Sequence, residues 1–179
     1  MKIKANKKEL SIIISEMKKP SPKIIYIKKL LKQYQIAKIN LNSKYYHGKT
    51  LLHYAIEYNL NGLIQPLIKS GCNPNICDDN YLSPLHLAVI KKNAKAIKIL
   101  IRNGADINIA GEFEQTPLHL ATTYGNLKFM KLLINNNADI MQVDEKNLSV
   151  LDYANDEKDL KIIDYLNKKR NTRKGEEKC

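Results

Sequence analysis

The sequence predicts an all-α fold, a helix pair copied along the chain with the copies stacked on one another. Three marks carry that prediction, and each recurs every 33 residues. Thr50-Leu51-Leu52-His53 returns as Ser83-Pro84-Leu85-His86, Thr116-Pro117-Leu118-His119 and Ser149-Val150-Leu151-Asp152. Gly71, Gly104 and Asn137 keep the same register, as do Ala55, Ala88, Ala121 and Ala154. Separate marks sharing one period are the signature of a repeat architecture.

Each element of the copy follows from local chemistry. Thr or Ser before Pro starts a helix, because the hydroxyl caps a free backbone N–H and Pro suits the first helical position. The Leu that follows begins a buried stripe, and the small Ala lets neighbouring helices approach. A second helix carries Leu63, Ile64, Leu67 and Ile68, repeated as Ala96, Ile97, Leu100 and Ile101 and as Phe129, Met130, Leu133 and Ile134. That spacing puts the apolar residues on one helical face. Gly71, Gly104 and Asn137 end this helix in the left-handed conformation. Residues 75–82 are short, polar and turn-like. One such pair cannot bury its own apolar face, so the copies must stack.

The Thr-Pro-Leu-His-x-Ala string and Gly-Ala-Asp-Ile-Asn at 104–108 resemble the ankyrin-repeat family. The resemblance covers about residues 48–171. It implies a solenoid of antiparallel helix pairs in an L-shaped arrangement, with a hairpin finger between successive pairs. The expected limits are repeats at 48–80, 81–113 and 114–146 and a shortened C-terminal capping repeat at 147–171. The last carries Asn155, Asp156, Glu157 and Asp159, as suits a solvent-facing end. Residues 20–47 read as a degenerate N-terminal cap, with Ile24 to Ile36 as its outer helix and 38–42 (Lys-Ile-Asn-Leu-Asn) as its end. Met17 stands where a cap should fall, and Pro20-Ser21-Pro22 breaks the expected inner helix. Residues 1–19 and 172–179 are left as a basic segment and a basic tail. Pro66 lies inside a second helix, which it should kink or shorten.

Composition limits the function classes. In 179 residues the chain is 44% hydrophobic and 27% charged, so wholesale disorder is not expected. No apolar stretch approaches the roughly 20 residues of a membrane span. The longest apolar run near the N-terminus, Ile12 to Ile14, is too short for a secretory signal. A cytoplasmic, intracellular protein is expected, and three unpaired cysteines agree with a reducing compartment. The net charge of +12 is uneven: residues 1–50 hold 13 Lys against 2 Glu, residues 51–167 are net −3, and residues 168–179 are net +4. With 27 Lys and only 3 Arg, the chain lacks the guanidinium forks usual in phosphate recognition, and nucleic acid is not the expected partner.

Residues with chemical potential have structural readings. His53, His86 and His119 fall in successive layers, a ladder and not a converging ligand set, each placed to bond its capping hydroxyl. Cys72 and Cys77 have no second pair to complete a zinc site. Asp78-Asp79 and Asp144-Glu145 sit on fingers open to water, where acid–base tuning is not expected. No phosphate-cradling Gly-rich loop or nucleophile elbow is present. No enzyme activity, cofactor or metal is therefore expected. Lys95, Lys98 and Arg102 read as a solvated helix face, and Lys168-Lys169-Arg170 with Arg173 and Lys174 as a solubilising tail.

Function is then expected in the stacked surface. The resemblance implies a partner protein bound by the finger tips and the exposed side of the inner helices. On this chain the fingers supply Tyr45, Tyr46, His47, Asp78, Asp79, Tyr81, Glu112, Phe113, Glu114, Asp144 and Glu145, and the inner helices add Tyr58, Lys91 and Tyr124. Tyr45, Tyr81, Phe113 and Tyr124 are the expected anchors, because aromatics dominate interface energetics. The acidic fingers favour a basic or mixed-charge protein surface. A monomer is expected. The A/T-biased composition (Lys, Ile and Asn fill 69 positions) resembles that of short ankyrin proteins of intracellular bacteria and large DNA viruses, which implies a host-directed role. The alternative is an adaptor held on nucleic acid or an anionic membrane by its Lys-rich ends.

Overall fold

The computed structural model of the protein describes residues 7–36 and 40–176. Part of the 38–42 string and Cys179 lie outside the described residues. The chain forms two compact units, one ending at Asp106 and one beginning at Ile107. Among the described residues the only β pairing is an isolated bridge between Val143 and Ser149.

The first unit contains three helix pairs: α1 (Lys7–Met17) with α2 (Ile24–Ile36), α3 (Leu51–Glu57) with α4 (Asn61–Lys69), and α5 (Pro84–Ile90) with α6 (Ala94–Arg102). The inner helices pack in the row α1–α3–α5 and the outer helices in the row α2–α4–α6. Leu51, Leu52, Ala55, Leu63, Ile64, Leu67, Leu85, Ala88, Ile97 and Leu100 are wholly buried between them. Ala55 and Ala88 have no exposed surface, as expected of residues that set the closeness of neighbouring helices.

The N-terminus departs from the expectation. Residues 1–19 read as a basic extension, yet Lys7–Met17 is the inner helix of the first pair. Its apolar residues Leu10, Ile13, Ile14 and Met17 fall at helical spacing and are all buried. Pro20 and Pro22 lie in the link to α2 and break no helix. The expectation failed because it sought a cap at position 17, the place the 33-residue period assigns, whereas this pair has a longer inner helix that starts earlier. Buried Glu16 closes the link: its carboxylate accepts the Lys23 N–H at 2.9 Å and pairs with the Lys19 ammonium.

The second unit holds α7 (Pro117–Thr123), α8 (Leu127–Ile134), α9 (Val150–Asp156) and α10 (Leu160–Glu176). Helix α7 packs on α8 and α9, and α9 on α10. Ala121, Met130, Leu133, Val150, Ala154 and Ile162 form its fully buried centre. The end of the last repeat also differs from its expected limit. Helix α10 runs 17 residues to Glu176, through the boundary placed at 171, because no proline interrupts 160–176. The expected tail is thus helical as far as Glu176, and residues 177–179 lie outside the described residues.

Pro66 does not shorten its helix, since α4 has nine residues, as does α6. The bond it cannot donate would go to the carbonyl of Gly62, an exposed residue in the first turn, where water can take that carbonyl.

Candidate functional site

The capping Thr and Ser residues hold the histidines in one arrangement. In α3 the Thr50 N–H donates to His53 Nδ1 at 3.1 Å, and the Thr50 hydroxyl lies 2.9 Å from the same nitrogen. Ser83 does the same for His86, at 3.2 and 2.9 Å. Thr116 does so for His119, also at 3.2 and 2.9 Å. A nitrogen that accepts carries no proton, so each ring is the neutral tautomer with hydrogen on Nε2. In two of them that N–H points at the next finger: His53 Nε2 donates to the Leu82 carbonyl at 2.8 Å, and His119 Nε2 to the Leu148 carbonyl at 3.2 Å. Burial is the main force holding both imidazoles below the ordinary histidine pKa, against the pull of those carbonyls. These rings are structural ties. In the fourth copy Asp152 takes the histidine's place, accepting from the Ser149 N–H at 2.8 Å and hydroxyl at 2.6 Å.

The fingers come in two constructions, decided by their first residue. Asp78 and Asp144 each turn a carboxylate back on their own loop. Asp78 Oδ1 accepts from the N–H groups of Asn80 and Leu82, both at 3.0 Å. Asp144 Oδ1 accepts from Lys146 and Leu148, both at 2.9 Å. Such an Asx turn leaves one left-handed residue, Tyr81 or Asn147. Tyr45 and Gly111 begin the other two fingers and offer no acceptor, and there two successive residues are left-handed: His47 with Gly48, and Phe113 with Glu114. Glycine relieves the strain in the first of these. The second holds Phe113 at φ 55° and Glu114 at φ 57°, a conformation that costs roughly 1–2 kcal/mol per non-glycine residue.

The fingers also tie to one another within each unit. The Asp79 N–H donates to the His47 carbonyl at 3.1 Å, and the Glu145 N–H to the Phe113 carbonyl at 3.1 Å. The tips therefore present side chains on a fixed backbone.

Of the expected binding residues, the first unit exposes Tyr46, His47, Asp79 and Tyr81 on its tips and Tyr58 and Lys91 at the ends of its inner helices. The second unit exposes Glu112, Phe113, Glu114 and Glu145 on tips and Tyr124 at the end of α7. Tyr46, Tyr81 and Phe113 are 76%, 67% and 54% exposed. Three expectations are corrected. Asp78 and Asp144 are buried, because their carboxylates serve the loop and not the solvent. Tyr45 is half-buried, its hydroxyl enclosed and its ring edge-on to Tyr54 at 6.5 Å, and burial pushes its pKa up to about 12.

Asp144 is moreover the hub of a set that sequence reasoning missed. Tyr153 donates to its Oδ2 at 2.6 Å and accepts from Gln115 Nε2 at 2.7 Å, while the Tyr153 ring meets His119 edge-on at 5.3 Å. Burial would raise the Asp144 carboxyl, but the Tyr153 hydroxyl and the N–H groups of Leu148 and Lys146 hold it below the usual range. Burial and the bond to Asp144 push Tyr153 up to about 12. Another missed set is the asparagine ladder at 42, 75 and 108. Asn42 and Asn75 each accept from the next copy's loop, at 2.7 and 2.8 Å, and donate to the carbonyls of Gly71 and Gly104. Asn108 accepts from the Asp139 N–H at 2.8 Å. Its 33-residue spacing was visible in the sequence.

Cys72 and Cys77 are both held up by burial, Cys72 to about 12, so neither thiol is poised as a nucleophile. A groove of about 460 Å³ between the α3–α4 and α5–α6 turns is lined by Glu57, Asn59, Asn61, Lys91, Asn93 and Lys95 among others. It is open and polar, and Glu57 is already paired with Lys49 at 3.0 Å.

Comparison with known proteins agrees with this architecture. The family described as Ankyrin repeats (3 copies) matches residues 22–110, 52–144 and 85–176. A protein of Fowlpox virus (strain NVSL) named as an ankyrin repeat protein, FPV022, is 39% identical over 46 residues. The matched stretch is 26% of this chain and 8% of the length of that relative. No described helix is long and apolar enough to cross a membrane. Ankyrin repeats are generally protein–protein interaction modules and typically not enzymes. With repeated helix pairs, histidine ties and fingers in one period, and family matches reaching from residue 22 to residue 176, this chain belongs to the ankyrin-repeat family.

Proposed function

We propose that this protein is a non-enzymatic module that binds another protein through its finger tips and the exposed ends of its inner helices. The observation that carries the reading is the exposure of Tyr46, Tyr81 and Phe113 on tips whose backbone is held by cross-finger bonds. Large apolar rings kept in water on a rigid support suit an interface, because little ordering entropy is lost on binding. The first unit offers Tyr46, His47, Asp79, Tyr81, Tyr58 and Lys91. The second offers Glu112, Phe113, Glu114, Glu145 and Tyr124. With Asp78 and Asp144 turned inward, the acidic character of the tips rests on Asp79, Glu112, Glu114 and Glu145, which still favours a basic or mixed-charge protein surface. The cap at 20–47 carries Tyr46 and His47, the repeats at 48–80, 81–113 and 114–146 carry the rest, and the module acts as a monomer in the cytoplasm. The likeness to a fowlpox virus protein supports a host-directed role.

Capture of the partner by the wild-type chain, followed by titration against the Tyr81→Ala/Phe113→Ala double variant, tests the reading. Affinity should fall by roughly 2 kcal/mol or more, with the helical signal unchanged. Equal affinity in the double variant would remove the tips from the interface.

A further inference from the structure

We propose that the outer-helix face of the first unit is a docking surface for an anionic membrane. Helices α2, α4 and α6 pack side by side, and their exposed residues recur across them in steps of 33. Lys29, Gly62 and Lys95 form one row, and Lys32, Gln65 and Lys98 the next. Lys69 and Arg102 continue the pattern on α4 and α6, and Lys28 adds another exposed ammonium on α2. The three helix sequences contain no Asp or Glu. A helix face built only for solvation intersperses both signs and gains from Glu–Lys pairs one turn apart. This face forgoes them and gathers seven like charges, while the acidic residues of the unit from Glu57 to Asp106 lie on fingers, loops and inner-helix ends.

Two further features select a membrane as the occupant. Ile25 is 86% exposed and Tyr26 is 43% exposed, on α2 between Lys23 and the Lys28–Lys29 pair. An apolar side chain collared by lysines is the arrangement that enters the boundary between headgroups and acyl chains while the ammonium groups meet lipid phosphates. Six of the seven cations are Lys, flexible point charges suited to a fluid plane of headgroups. A duplex backbone would be better served by arginine forks. Gly62, at the middle of its row, is exposed and adds no side chain between Lys29 and Lys95. This surface is separate from the finger tips, so it stands or falls independently of the protein-binding reading.

The test is sedimentation of the full chain with vesicles of phosphatidylcholine alone or with about a third phosphatidylserine, at low and physiological salt. Wild type should partition onto the anionic vesicles only, and less at the higher salt. The variant Lys29→Glu/Lys32→Glu/Lys95→Glu/Lys98→Glu should lose at least about tenfold in partition. Ile25→Ser should lose about threefold at unchanged charge. Far-ultraviolet circular dichroism checks that each variant is folded, with the matching Lys→Gln set as replacement if the charge reversals disturb the helices. Equal partition onto both vesicle types would overturn the proposal. So would an unaltered Ile25→Ser variant, tighter binding to a DNA duplex than to the anionic vesicles at the same salt, or loss of binding on deleting residues 172–179.

Discussion

His53 Nε2 donates to the carbonyl of Leu82 at 2.8 Å, tying an inner helix to the finger of the following repeat. The bond joins residues 29 positions apart, and its counterpart from His119 to Leu148 has the same separation. Removing either ring leaves a capping N–H and a finger carbonyl without their partner. His53→Ala and His119→Ala should each cost about 1–3 kcal/mol, read as a lowered urea midpoint. A variant as stable as wild type would show that the ties contribute nothing.

The same ties make stability depend on pH. Both imidazoles are held below the ordinary value of about 6.5 in the folded state. The unfolded chain therefore takes up protons first as pH falls. The contribution is whole above about 6.5 and is lost as pH drops from there toward the folded values. Urea midpoints should fall between pH 7.5 and 5.5, and the His53→Gln/His119→Gln variant should show a flatter profile. A steeper fall in the double variant would reverse the sign of this argument.

Finger backbone predicts opposite outcomes at two positions in one register. Gly48 is left-handed at φ 67° and buried, and a Cβ there would stand 2.6 Å from the Asp79 amide nitrogen. Gly48→Ala should cost roughly 1–3 kcal/mol. Glu114 has the same handedness in water at φ 57°, so Glu114→Gly should stabilise by about 1 kcal/mol. Thermal midpoints of the two variants should move in opposite directions.

Asp144 and Tyr153 should behave as one unit. Asp144→Ala removes acceptors from two backbone N–H groups and from the Tyr153 hydroxyl, and Tyr153→Phe removes only the last. A double-mutant cycle should give a coupling of about 1 kcal/mol or more. Additivity within error would mean that the 2.6 Å contact is not stabilising.

Helix α1 supplies the fifth prediction about stability. Ile13 is wholly buried in the first pair, so Ile13→Ala should cost about 2–4 kcal/mol. Deleting residues 1–19 should lower the thermal midpoint far more than deleting 177–179. A chain indifferent to loss of 1–19 would return that segment to the status of an extension.

Most of the architecture was legible because the repeat imposes it. Caps at Thr50, Ser83, Thr116 and Ser149, buried alanines, and left-handed ends at Gly71, Gly104 and Asn137 are decided by residues close in sequence, and their period repeats the decision. The period misled at α1, whose helix lies upstream of the expected place, and at 171, where nothing local stops α10. At the surface, composition alone could not separate an acidic residue facing water from one facing its own backbone. Asp78 and Asp79 are neighbours, yet one carboxylate is buried against the N–H groups of Asn80 and Leu82 and the other is exposed. That difference depends on which way the finger turns. Lys95, Lys98 and Arg102 were legible as one helix face, but their alignment with Lys29 and Lys32 of α2 was hidden in a charge count spread over the chain. The sequence by itself determined the repeated helices, most of their ends and their order, through local hydrogen bonding and apolar spacing. Only the tertiary structure decided which polar groups are consumed by the fold and which remain for a partner, because burial is a property of neighbours that packing brings together.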